Sequence, residues 1–230
     1  MGHSHRLVVL GKQGAGKGTQ AERLAHHYGV PRVSTGDIFR TAVKEGTEAG
    51  QRARKYMDAG DLVPDKVVVE VVRERLLEPD AAEGFVLDGF PRNVFQAESL
   101  DGMLRPHGVD LVIELQVPTE MVLRRLAGRR VCVDCGTNYS VESPPSVDWA
   151  CDRCGGKVVL RGDDTEAAIS RRLALYGAET EPLVAWYMAQ DKLAAVDGIG
   201  TPDAVTARLR RAVDNRLGPP ALAAQPPERQ

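Results

Sequence analysis

The segment that most constrains this chain is Gly11-Lys12-Gln13-Gly14-Ala15-Gly16-Lys17-Gly18-Thr19. It follows a short apolar run, Leu7-Val8-Val9-Leu10, and precedes an amphipathic stretch over residues 19–28. The run predicts a buried strand and the stretch a helix. Glycines let successive backbone N–H groups turn inward and approach phosphate oxygens. The helix N-terminus adds partial positive charge, and Lys17 reaches β- and γ-phosphates as a point charge. Strand, glycine-rich loop and helix together open an α/β nucleotide-binding fold. One detail narrows the class. The general motif carries Ser or Thr directly after the Lys as a magnesium ligand. Here Gly18 stands there and Thr19 follows, which argues against a Ras-like GTPase or a motor ATPase.

Further apolar runs predict strands at 32–34, 84–88, 110–117 and 192–197. Helical patterns fall between them, at about 37–44, 48–57, 65–77, 94–105, 119–126, 166–190 and 202–217. Strands alternating with helices imply a parallel sheet with helices on both faces. Two regions break the rhythm. Residues 35–63 read as helical with no strand of their own, and residues 128–164 hold all four cysteines, Pro144-Pro145 and several glycines. Both read as insertions into the core. The Pro-, Ala- and Gln-rich residues 218–230 predict a disordered tail.

Composition excludes little but usefully. With 30 Lys and Arg against 32 Asp and Glu, the 230-residue chain carries a formal charge of -2. Proteins that coat nucleic acid usually carry a positive excess. No apolar run approaches the roughly 18 residues of a membrane helix. The first residues lack the long apolar stretch and small-residue cleavage site of a signal peptide, so the cytoplasm is the expected location.

Three more segments bear on function. They are Ser34-Thr35-Gly36-Asp37-Ile38-Phe39-Arg40, Leu87-Asp88-Gly89-Phe90-Pro91-Arg92 with Gln96 beyond it, and the pair Gly128-Arg129-Arg130 and Arg161-Gly162-Asp163-Asp164. With the Gly18-Thr19 form of the loop, they make the chain similar to nucleoside monophosphate kinases, and collinearly from 6 to 217 it resembles the adenylate kinases with a long lid. The resemblance implies a P-loop fold divided into core (1–34, 64–127, 165–217), a helical AMP-binding insertion (35–63) and a lid (128–164). It implies the reaction MgATP + AMP ⇌ 2 ADP, in a monomer that binds ATP, AMP and ADP and no nucleic acid or membrane.

Such a reaction needs no general base, because the AMP phosphate oxygen that attacks is already anionic. It needs charge neutralisation and alignment, for which the planar, always charged guanidinium is suited. By the resemblance, Gly14, Ala15, Gly16, Lys17, Gly18 and Thr19 hold the ATP phosphates. Arg40 and Arg92 hold the AMP phosphate. Arg129, Arg161 and Arg172 close on the transferring group, and Arg125 lies on the ATP adenine. Asn138, Tyr139 and the backbone of Gly200 also fall at ATP-contacting positions. Thr35, Gln96, Gly89 and the backbone of Asp61, Leu62 and Val63 fall around AMP. The Thr35 form resembles AMP kinases more than UMP/CMP kinases, and another nucleoside monophosphate kinase, of UMP/CMP or GTP:AMP type, is the neighbouring alternative.

Asp88 ends an apolar strand, where an acid holds magnesium directly or through water, with Thr19 nearby; a turn Asp is the other reading. Asp163 and Asp164 either orient lid arginines or magnesium-bound water, or cap the helix from Thr165. Tyr139 either faces ATP or fills the lid core. Arg124, Arg130 and Arg171 read as surface or supporting charges. Lys12 and Gln13 depart from the family loop, where Pro is common at the position of Gln13. His3 and His5 read as part of a loose terminus, and His26, His27 and His107 as surface or packing residues.

Cys132-Val133-Asp134-Cys135 and Cys151-Asp152-Arg153-Cys154 are two C-x2-C pairs separated by 15 residues, each followed by Gly (Gly136, Gly155). Two such turns can close a tetrahedral sulfur site suited to structural zinc. Two disulfides, disfavoured in the cytoplasm, and free thiols are the alternatives. A zinc-ribbon ATPase that binds nucleic acid is the alternative from another class. The stretch between the pairs, with Glu142 and Asp148 and few basic residues, speaks against it.

Overall fold

Successive residues of a strand point to opposite faces of its sheet. The first strand, β1 (His5–Leu10), is apolar on both, so it must be covered on both. Leu7 and Val9 enter one buried cluster and Val8 and Leu10 the other. The computed structural model, which describes residues 5–219, places β1 at the centre of a five-stranded sheet. The other strands of the sheet are β2 (Arg32–Ser34), β3 (Gly84–Asp88), β4 (Leu111–Gln116) and β8 (Leu193–Asp197). The spatial order is β2-β3-β1-β4-β8, and every pairing is parallel.

One face is covered by α1 (Lys17–Tyr28), α6 (Thr119–Gly128) and α9 (Pro202–Leu217), which supply Leu24, Leu126 and Leu209 to the core. The other carries α4 (Asp65–Leu76), α5 (Val94–Met103) and α8 (Glu181–Ala189), with Val72, Leu100 and Tyr187 at its heart. This is the α/β architecture that the alternating pattern predicts. Because the chain winds from β1 first to β2 and β3 and then across to β4, a crevice opens beyond the C-terminal end of β1.

Two excursions leave the core. The first is a pair of packed helices, α2 (Thr35–Glu45) and α3 (Glu48–Ala59), each started by a side-chain cap. Ser34 Oγ accepts from Asp37 N–H and Thr47 Oγ1 from Gly50 N–H. The helices lie so close that a Cβ on Gly50 would sit 2.1 Å from the Ala42 carbonyl oxygen. The second is a three-stranded antiparallel sheet of β5 (Arg129–Cys132), β6 (Asn138–Ser140) and β7 (Val158–Leu160), ordered β6-β5-β7. Its strands are three or four residues long and too irregular in pattern to read from sequence.

Two expectations are corrected. The predicted helix at 166–190 is three pieces: α7 (Glu166–Leu175), a π turn (Tyr176–Thr180) and α8. Pro182 has no N–H to give the preceding turn, and its ring would clash with the carbonyl four residues back in a continuous α-helix. The wider turn relieves both. His5 belongs to no loose terminus. It is 3% exposed in β1 and stacks on Tyr28, with ring centroids 4.4 Å apart. Residues 1–4, including His3, and the tail from 220 lie outside the described residues. Among those described, no helix is long and apolar enough to cross a membrane.

The fold supports its loop through packing. A Cβ on Gly14 would fall 2.8 Å from Leu126 Cγ, so the loop rests directly on this fully buried side chain. Leu126→Ala is expected to cost roughly 2–5 kcal/mol, measured by urea unfolding.

Candidate active site

The phosphate loop is built by backbone geometry. Gly11, Gly14 and Gly16 all have positive φ, at 141°, 82° and 101°. At Gly11 a Cβ would also meet the Leu115 carbonyl oxygen at 2.7 Å. Gly16 is the N-cap of α1, so Lys17, Gly18 and Thr19 form its first turn, with their N–H groups on the crevice side of the helix end. Lys17 Nζ donates to the carbonyls of Gly11 and Lys12, at 2.7 and 2.9 Å, which spans the loop. Burial pushes this amine down to about 8. Arg92, Arg129 and Arg161 push the same way, and Asp88 opposes them.

The loop opens into a cavity of about 770 Å³ bounded by the sheet end and both excursions. Nine cationic side chains and five acidic ones line it, so it is strongly positive although the chain carries -2 overall. No His or Cys lines it among the described residues. The lining includes Lys17, Thr19, Arg40, Arg92, Arg125, Arg129, Arg161 and Arg172, together with Asp88, Asn138, Tyr139 and Gly200. It also includes Thr35, Asp61, Leu62, Val63, Gly89 and Gln96. The structure thus brings the residues singled out for nucleotides around one space.

Their local engagements differ. Arg92 is held from three sides. Its N–H donates to Gln96 Oε1 (2.8 Å), its Nε donates to the Gly89 carbonyl (2.8 Å), and its own carbonyl accepts from Thr180 Oγ1 (2.9 Å). Burial, and after it the nearby Arg172, push its guanidinium down to about 10. Gln96 gives its amide N–H to Asp65 (2.7 Å), so that amide bridges Arg92 and the start of α4. Thr35 donates to the Gly89 carbonyl at 3.0 Å. Arg40 pairs with Asp37. Arg125 donates to the carbonyls of Ala15 (3.0 Å) and Gly198 (3.1 Å), tying the phosphate loop to the chain before Gly200.

The open reading of Asp163 and Asp164 is decided. Thr165 Oγ1 caps α7 by accepting from Ala168 N–H at 3.2 Å, so neither acid is the cap. Asp164, its side chain 1% exposed, takes a two-pronged bond from Arg129 at 2.6 and 2.5 Å. Asp163 takes one from Arg161, at 2.6 and 3.1 Å, and another bond from Arg172 at 3.0 Å. Burial would raise the Asp163 carboxyl. Arg161, Arg172 and Arg40 outweigh it and hold the group well below the usual carboxylate range.

Sequence reasoning missed several connectors. Gln13 Nε2 donates to Asp164 at 2.9 Å, joining the phosphate loop to the second excursion. Lys44 on α2 donates to the carbonyls of Val133 and Asp134, at 3.2 and 3.3 Å. Arg171 pairs with Asp61 at 2.6 Å, and Arg172 donates to the Met57 carbonyl at 2.8 Å. Arg32 pairs with Asp88 and Asp37. The departure of Gln13 from Pro was the one visible signal among these.

The four cysteines converge. Their sulfurs all lie within 4.8 Å of one another, with Cys132–Cys154 and Cys135–Cys151 each at 3.5 Å. Tetrahedral zinc with bonds of about 2.3 Å sets sulfurs about 3.8 Å apart, so the donor set fits that ion. Each C-x2-C pair folds as a tight knuckle. Gly136 N–H donates to the Cys132 carbonyl and Gly155 N–H to that of Cys151, and both glycines have φ near 70°. Tyr139 Oη donates to Cys151 Sγ at 3.4 Å and accepts from Asp152 N–H at 2.8 Å. Its hydroxyl therefore supports the sulfur cluster, while the residue also borders the cavity.

Fixed positive charge around a phosphate loop, without a base-activated nucleophile, is the equipment of a phosphotransferase acting on nucleotides. The comparisons with known proteins agree. The adenylate kinase family model matches residues 9–192. The adenylate kinase of Syntrophobacter fumaroxidans is 50% identical over 206 residues, covering 88% of this chain and 97% of the relative. That of Salinispora tropica is 52% identical over 216 residues, covering 93% and 100%. That of Nitrosococcus oceani is 53% identical over 199 residues, covering 84% and 91%. The chain belongs to the adenylate kinase family.

Cys132→Ser is expected to lower bound zinc, measured by elemental analysis, and to lower the melting temperature. Retention of both at wild-type values would rule out the four-sulfur site.

Proposed function

We propose that this adenylate kinase transfers a phosphoryl group between MgATP and AMP by positioning and charge neutralisation alone. The observation that carries this reading is the convergence of Lys17, Arg40, Arg92, Arg129, Arg161 and Arg172 on one cavity. An oxygen of the AMP phosphate forms a bond to the γ-phosphorus of ATP. The bond from that phosphorus to the β–γ bridging oxygen breaks, and two ADP result. No proton must be removed from the attacking oxygen, so the chemistry asks only for alignment and electrostatic support.

In this reading the N–H groups of residues 14–19 and Lys17 take the ATP phosphates. Magnesium enters as part of the MgATP substrate; Asp88 and Thr19 would be the oxygen-bearing residues beside it, and it would supply neutralisation of phosphate charge. Arg40 and Arg92 take the AMP phosphate. Arg129, Arg161 and Arg172 face the transferring group, oriented by Asp163 and Asp164. Arg125, Asn138, Tyr139 and the backbone at Gly200 border ATP. Thr35, Gly89, Gln96 and residues 61–63 border AMP.

Residues 35–63 and 128–164 are proposed to close as separate bodies on the core and exclude water, the competing phosphoryl acceptor. The bonds of Lys44 to 133–134 and of Gln13 to Asp164 support such closure, because they join the two excursions and the loop. Zinc held by Cys132, Cys135, Cys151 and Cys154 would give the small 128–164 body folding energy and, with all four positions taken by protein, no catalytic role. The positive charge lies inside a cavity, which suits free nucleotides, and a cytoplasmic monomer is the setting we propose.

Offered MgATP with AMP, CMP, UMP or dTMP in turn, the protein is expected to form diphosphate fastest with AMP. Preference for a pyrimidine would overturn the acceptor assignment. Lys17→Ala is expected to lower kcat/KM by about 100-fold or more. Lys17 binds phosphate only when protonated, and its amine lies near 8. The wild-type KM for ATP should therefore rise as pH increases from 7 to 9.5, whereas a clamp of arginines alone would leave it flat.

A further inference from the structure

Arg32 has no part in the division of labour above, yet it stands at the cavity floor. Its Nη2 lies 2.8 Å from Asp88 Oδ2 and 2.8 Å from Asp37 Oδ2, and Nη1 lies 3.7 Å from Glu22. The Arg32 side chain is 19% exposed and that of Asp88 11%. Arg32 Nε is buried without a hydrogen-bond partner. Its three acidic neighbours outweigh the desolvation of the Arg32 charge, which leaves room for a functional reason for the pair.

Its position supplies one. Phosphate loops of the general type place a magnesium-ligating hydroxyl on the residue after the Lys. In this chain that residue is Gly18, and a Cβ there would lie 3.3 Å from both Arg32 Nη2 and Asp88 Oδ2. A guanidinium thus stands beside the missing side chain and engages one oxygen of the acid assigned to magnesium. A larger residue at 18 would crowd the pair.

We propose that Arg32 is a positioning residue that sets the divalent-ion requirement of the reaction: a resident cation that fixes one oxygen of Asp88 and weakens the attraction of that carboxylate for the magnesium of MgATP. The inference rests on the assignment of Asp88 to magnesium. Its physical basis is the repulsion between a fixed charge and a divalent ion sharing one carboxylate, in a site too sheltered for salt to screen it fully. The gain is a carboxylate held in place before substrate arrives, so the ion is recruited with the nucleotide and not ahead of it.

The test uses Mn2+ as the probe ion, titrated by electron paramagnetic resonance into the full-length protein saturated with a β,γ-imido analogue of ATP. Arg32→Gln is expected to tighten Mn2+ binding about tenfold. Arg32→Met, which keeps the apolar stem without the charge, should do the same. Arg32→Lys, which keeps the charge, should stay within about threefold of wild type. Unchanged or weaker binding in the Gln and Met variants, or equal tightening in the Lys variant, would overturn the proposal. Asp88→Asn separates the two readings. If it leaves Mn2+ affinity unchanged, the assignment of Asp88 fails. If it weakens binding while Arg32→Gln changes nothing, only the role of Arg32 fails.

Discussion

Like charges must be held together in this molecule, and that constraint orders the rest of it. Lys17, Arg92, Arg129, Arg161 and Arg172 border one cavity, where burial first and neighbouring cations after it lower the proton affinity of Lys17 and Arg92. Left to themselves, such side chains would swing apart into water. Two devices prevent it. Asp163 and Asp164 take bonds from Arg129, Arg161 and Arg172 and fix their planes. Backbone carbonyls and amides fix the others, as at Arg92, which is anchored through Gly89, Gln96 and Thr180. Guanidiniums arranged this way meet a polyanion without reorganising, which is the condition for electrostatic catalysis.

The same constraint accounts for the odd features of the fold. The π turn at Tyr176–Thr180 ends with a buried Thr180 whose hydroxyl reaches the Arg92 carbonyl. Insertions that look like interruptions in the α/β pattern carry Arg40, Arg129 and Arg161, residues that the sheet edge alone could not bring to the far wall of the cavity. The sulfur cluster belongs to this logic. A sheet of strands three or four residues long has little core beyond Cys132, Cys151, Val158 and Tyr139, and a four-thiolate site would supply the rigidity that apolar burial cannot.

Much of the architecture was legible from local pattern. Leu7–Leu10 as a doubly covered strand, the glycines before Lys17, and the knuckle spacing of the cysteines each follow from short-range stereochemistry. The unread parts depend on groups distant in sequence. The anchor of Asp164 is not local, because Arg129 lies 35 residues away in sequence. Gln13 to Asp164 spans 151. His5 looked terminal and loose, but its neighbour Tyr28 lies on a helix that only the sheet brings close. The role of Arg32 is invisible in local pattern, because its partners, Asp37 and Asp88, come from separate segments.

By itself the sequence determined the class of chemistry: a phosphate loop with glycine after its lysine, a collinear set of arginines, and four cysteines in number and spacing right for one metal. Those are statements about residue type and short spacing, which covalent geometry and backbone preference suffice to constrain. Tertiary structure decided which charges face one another. A chain of formal charge -2 becomes a positive cavity because folding gathers nine cations from distant segments into one wall and leaves most of the acids outside it. Coulomb interactions depend on distance in space, and sequence order does not record it.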